Sequence, residues 1–161
     1  MADISLTEPG HPRQIGLRAA PGSPATERLE ALLGCQLPLQ PNTSAAGVLW
    51  LGPDEWLIVD RDVTERELRD ALAGGGAAVE LSANRTALVL AGARARDVLA
   101  SCCSIDLHPS RFAPGSCVQT LVAGVDAILE QLDAAPSFRL LVRPSFVAHV
   151  RAWLQDSINA L

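Results

Sequence analysis

The chain has 161 residues, 48% of them apolar, and a formal charge of −5. That length and composition suit a globular chain with a core of its own and exclude disorder or a coiled coil. All thirteen basic residues are arginine and none are clustered, which argues against nucleic-acid binding; with no lysine or tyrosine, Schiff-base lysine, P-loop lysine and tyrosine acid chemistry drop out together.

No apolar run approaches the ~20 residues of a membrane span. The N-terminus has no basic start before an apolar stretch, so no secretory signal is expected and the cytoplasm is the expected location. Cys35, Cys102, Cys103 and Cys117 form no CxxC pair, and no histidine spacing completes a metal site. They read as reduced thiols, with no metal.

Residues 1–12 are polar and turn-rich and are expected to be loose, leaving residues 13–161 as a single domain with two possible sub-halves, 13–76 and 77–161. Gln14–Ala19 alternates as a strand. Ser23 caps a helix with Pro24 in its first turn, Leu29, Leu32 and Leu33 on its apolar side, and Gly34 at its end. Gln36–Ala46 is a loop. Gly47–Leu51 and Trp56–Asp60 form a hairpin around Gly52-Pro53-Asp54-Glu55. Thr64 and Glu67 make a capping box for a helix that buries Leu68, Ala71 and Leu72 and stops at Gly74–Gly76.

An extended run closes at Glu80-Leu81-Ser82, and a second one, Thr86–Ala91, leads to a short helix over 93–100. Ser104–Pro114 is a loop. Ser116–Ala123 and Val125–Gln131 pair about Gly124, Phe138–Arg143 is the last strand, and Ser145 caps a last helix carrying Phe146, Val147, Val150, Trp153, Leu154 and Ile158. Hairpins feeding helices predict an α+β fold of antiparallel sheets with helices packed on one face, not a doubly wound parallel sheet.

Few residues suggest chemistry. Ser104, Asp106 and His108 sit in one loop, where nucleophile, base and orienting acid do not line up, and no GxSxG elbow is present. Gly74-Gly75-Gly76 follows a helix, the reverse of a phosphate loop, and no GxGxxG appears. His11, His108 and His149 are scattered, and the pairs Asp54/Glu55, Asp60/Asp62 and Glu65/Glu67 flank turns or a helix start. No catalytic residue is assigned. Trp50 and Trp56 suit a core and a partner surface equally, and with Arg85, Arg94, Arg96 and Arg111 they are compatible with a protein interface; Trp50, Trp56, Arg85, Arg94 and Arg111 are the interface candidates.

An ordered series of segments carries a resemblance: Trp50–Leu57, the turn Ser82-Ala83-Asn84-Arg85-Thr86, Ala91–Ala95, Cys103–Pro109, Phe112–Cys117, Ala123–Leu129, Phe138–Arg143 and Trp153-Leu154. Together they cover roughly two thirds of the chain, and in this order they resemble the gamma subunit of heterotetrameric sarcosine oxidase. That family is similar in turn to the folate-binding domain of glycine-cleavage aminomethyltransferases, whose α+β fold the resemblance implies.

It also implies alpha, beta and delta partner subunits, with FAD, FMN, NAD and tetrahydrofolate carried on those chains and none on this one. The assembly would demethylate sarcosine oxidatively to glycine, form peroxide and pass the one-carbon unit to tetrahydrofolate. In the aminomethyltransferases a hairpin with a glycine pair and adjacent aspartates serves folate. Here Ala123-Gly124-Val125-Asp126-Ala127 offers one glycine and one carboxylate, so Asp126 is the folate-site match and the chain is expected to be a non-catalytic subunit. An active folate-dependent one-carbon transferase domain and a free-standing binding protein are the alternatives.

Overall fold

A computed structural model describes residues 4–161. The chain forms two compact units, one of Pro12–Ser82, the other of residues 4–11 joined to Ala83–Leu161. The division thus falls at Ser82, and the N-terminal segment belongs to the later unit.

In the first unit five antiparallel strands follow the order β3-β4-β5-β2-β6: β2 (Gln14–Ala19), β3 (Ser44–Ala45), β4 (Val48–Gly52), β5 (Glu55–Val59) and β6 (Gly76–Glu80). Period-two alternation turns Ile15 and Leu17 of β2, and Trp56 and Ile58 of β5, to one face. There they meet Leu29 and Leu33 of α1 (Pro24–Leu33) and Leu68 and Leu72 of α2 (Glu65–Leu72).

Both helices start as their sequences prescribe. The Ser23 hydroxyl accepts the Thr26 N–H at 3.3 Å, and Gly34 closes α1 in the left-handed region at φ 65°. The Thr64 hydroxyl accepts the Glu67 N–H at 3.2 Å while the Glu67 carboxylate accepts the Thr64 N–H at 2.8 Å. Two details depart from expectation. Leu32 is exposed rather than buried, and α2 ends on Ala73 at φ 48°, one residue before the glycines. Gly76 serves strand contact instead: a Cβ there would lie 2.2 Å from the Arg18 carbonyl of β2.

The second unit also has a five-stranded antiparallel sheet, in the order β1-β7-β10-β9-β8. Its strands are β1 (Ile4–Gly10), β7 (Thr86–Gly92), β8 (Cys117–Val122), β9 (Val125–Asp133) and β10 (Ser137–Val142). Leu88 and Leu90, Phe138, Leu140 and Val142, and Ala127 and Leu129 face α3 (Ala95–Ala100) and α4 (Val147–Asn159).

The segment expected to be loose is corrected here. Residues 4–10 form β1, with Ile4 opposite Gly92 and Leu6 opposite Leu90; the start of that segment, residues 1–3, lies outside the described residues. Its polar, proline-containing composition is that of an edge strand, paired on one side only. Ser145 is not a cap either: α4 grows out of a 3-10 turn, Pro144–Phe146, with no side-chain cap bond at its start. Among the described residues no helix is long and apolar enough to cross a membrane.

Candidate functional site

Strand register assembles the charged groups of the second unit. Leu121 of β8 stands opposite Asp126 of β9, Ala127 opposite Val142 of β10, and Val142 opposite Thr86 of β7. Arg143 follows Val142 just past the end of β10, and Arg85 precedes Thr86 just before β7. Leu121, Asp126, Arg143 and Arg85 thus gather at one end of the sheet, and strand alternation turns Leu121 and Asp126 to the face away from Val122, Ala127 and the helices.

These four residues line a cavity of about 540 Å³, with Ser104, Gln119 and Ile128 among its other walls. Arg143 donates to the Asn84 side-chain oxygen at 3.4 Å. Arg85 and Gln119 are also engaged, whereas Asp126 makes no hydrogen bond or ion pair among the described residues. Two rows further along the same face, Glu130 pairs with Arg139 directly opposite it. Their Nη2–Oε2 distance is 2.6 Å, and the side chains are only 8% and 12% exposed. A nearly buried pair of this kind holds register and leaves no charge for a ligand.

The sequence candidates fall in different places. Asp126 and Arg85 meet at the cavity. Trp56 is fully buried in the first unit's core, and its indole N–H donates to the Pro38 carbonyl at 2.7 Å. It is therefore no interface residue: a period-two strand turns it toward the helices, and its one polar atom is already satisfied. Trp50, opposite it in register, is half-buried at the edge of that core. Arg94 pairs with Asp97 at 3.0 Å and donates to the Leu161 carbonyl at 3.2 Å, and Arg111 is exposed in the loop after α3.

Arg96, which sequence groups with the arginines of a protein interface, is a strut. Its guanidinium donates to the Leu107 carbonyl, to the Phe112 carbonyl at 3.0 Å and to Gln131 Oε1 at 2.8 Å. It also lies over the Phe138 ring, 5.2 Å from the centroid, and burial lowers its pKa. Arg96 thus ties the loop after α3 to β9 and β10.

That loop contains no triad. The Asp106 carboxylate accepts the His108 backbone N–H at 2.9 Å, and the His108 ring meets the Ser110 hydroxyl at 2.7 Å, so both groups serve local turns. His149 Nε2 lies 3.0 Å from the Ala123 carbonyl, and His11 Nδ1 3.3 Å from the Thr86 hydroxyl. The four cysteines are free thiols, and burial first, then the neighbouring Cys103, pushes the Cys102 thiol up. Among the described residues no three His, Cys, Asp or Glu side chains form a group that could hold a metal ion.

Sequence reading missed Arg143 as a cavity group and Asn84 as its hydrogen-bond acceptor. Strand parity carried one residue past each strand end is the signal that finds Arg143, since Val142 faces the helices and its successor must face away.

Comparison with known proteins gives a consistent result. Residues 19–160 match the family described as "Sarcosine oxidase, gamma subunit family". The sarcosine oxidase subunit gamma of Corynebacterium sp. strain U-96 is 36% identical over 166 residues, spanning 97% of this chain and 80% of that one. A chain of the solved heterotetrameric sarcosine oxidase from Corynebacterium sp. U-96, in complex with pyrrole 2-carboxylate, superimposes with a TM-score of 0.89 at 36% identity, covering 98% of this chain and 84% of that one. The glycine cleavage system aminomethyltransferase T of Bartonella henselae shares the fold alone, with a TM-score of 0.71 at 16% identity over 95% of this chain and 45% of that one. The expected α+β fold of the aminomethyltransferase type is borne out, and the chain belongs to the sarcosine oxidase gamma subunit family.

Proposed function

We propose that this chain is the non-catalytic gamma subunit of a heterotetrameric sarcosine oxidase in the cytoplasm. It docks onto alpha, beta and delta subunits that carry FAD, FMN, NAD and tetrahydrofolate. That complex oxidises sarcosine to glycine, reduces oxygen to peroxide and passes the one-carbon unit to tetrahydrofolate. The observation that carries this reading is similarity along nearly the whole chain, in sequence and in fold, to the gamma subunit of such an oxidase.

Surface chemistry supports a docking role. Phe146, in the turn that leads into α4, and Trp153 of α4 are 46% and 49% exposed. Arg111 and the half-buried Trp50 and Arg94 are further contact candidates. Co-expression with the neighbouring genes, followed by purification through a tag on this chain, tests the reading. Flavin absorbance and sarcosine-dependent peroxide are the expected result; colourless material without peroxide would refute it.

A second reading, a folate-binding aminomethyltransferase-like domain, draws on the placement of Asp126 at a cavity. Saturable quenching of tryptophan fluorescence by tetrahydrofolate, lost in Asp126→Asn, is what that reading requires.

A further inference from the structure

Asp126 and Arg143, neighbours in sequence of the opposed Ala127 and Val142, line one cavity, yet no ion pair closes between them. Arg143 leans instead on Asn84 at 3.4 Å, and the space beside the two groups is the cavity of about 540 Å³. A solvated ion pair gains little by closing, so its staying open is cheap. What is left is a polarised gap with an acceptor at one side, a donor fork at the other, and the Leu121 and Ile128 side chains on its walls.

We infer that this cavity binds a free α-amino acid with an apolar side chain, a ligand site distinct from the subunit's docking role. A bare anion that meets Arg143 is repelled by Asp126, and a bare cation that meets Asp126 is repelled by Arg143. A zwitterion satisfies both: its ammonium donates to the Asp126 carboxylate, and its carboxylate accepts the planar guanidinium of Arg143, a fork suited to two parallel hydrogen bonds. An aliphatic side chain then covers Leu121 and Ile128. The volume is within the range of small-molecule pockets. Arg85 has a partner of its own and adds positive potential at the carboxylate end rather than a free donor.

The test is a titration of the full chain, labelled with 15N, followed by amide chemical shifts. Leucine is the probe; isovalerate and isopentylamine, each carrying one of its two charges, are the controls. Leucine should give saturable shifts concentrated at residues 119–128 and 143, and each control should bind at least about tenfold more weakly. Asp126→Asn and Arg143→Gln should each weaken leucine by about tenfold, and the same spectra report whether the variants are folded. Three results overturn the inference: no saturable shift with leucine at tens of millimolar, isovalerate binding as well as leucine with Asp126→Asn without effect, or tetrahydrofolate displacing leucine from these residues. The single-charge controls decide the matter even if a variant fails to fold.

Discussion

The two sheets have the same number of strands and the same antiparallel pairing, but they are held together differently. In Pro12–Ser82 each helix begins with a side-chain cap, the charge pairs lie at the surface, as Arg18 with Asp54 and Glu55, and Arg28 and Arg61 donate to the carbonyls of Ala71, Leu72 and Leu33 at the helix ends. In the other unit neither helix start has a side-chain cap bond, and charged groups reach inward, as Arg96 to Gln131 and Arg139 to Glu130. Local side-chain caps set the helix starts of the first unit, while the second sets charged and polar side chains against one another inside. The cavity belongs to the second, where charge is already built into the sheet.

Substitutions that break this contrast should differ in size. Trp56→Ala empties the first unit's core and leaves the Pro38 carbonyl without its donor, and about 4 kcal/mol of stability should go, read as a shift of the urea midpoint. Glu130→Ala leaves Arg139 nearly buried without its carboxylate and should cost about 3 kcal/mol in the same assay. Arg96→Met keeps the stem but removes the guanidinium donors. About 2 kcal/mol should be lost, with faster hydrogen exchange confined to the loop of residues 103–116. A uniform rise in exchange across both units would contradict the strut.

The smallest effect sharpens the contrast from the other side. Thr64→Ala should cost about 1 kcal/mol, read from the melting temperature. Hydrogen bonds from the Thr64 hydroxyl and backbone hold the Glu67 pKa below the ordinary carboxylate value. Its contribution is therefore complete above that ordinary value and is lost as the pH falls through the lower, folded-state pKa. In Thr64→Ala the hydroxyl's share of this acid-induced loss should disappear while the share of the backbone N–H remains, so the component should shrink; an unchanged acid profile would assign it elsewhere.

The first unit was the more legible because its signals are local. Ser23-Pro24, Thr64…Glu67 and the run around Trp56 each determine a boundary within a few residues. What was missed depends on distant partners. Residues 4–10 become a strand only because β7 offers an open edge more than eighty residues on, with Leu6 opposite Leu90. Arg96 has the helical position of a surface residue, and only the return of Gln131 and the loop carbonyls makes it internal. For the cavity, Asp126 was found through a resemblance, whereas Arg143 needed the register of β9 against β10.

Native mass spectrometry of material purified through a tag on this chain, co-expressed with its neighbouring genes, tests the subunit assignment most directly. The account predicts one assembly containing this 17.0 kDa chain and three other subunits, with flavin retained. This chain alone at 17.0 kDa, with the other gene products eluting together without it, would contradict the account.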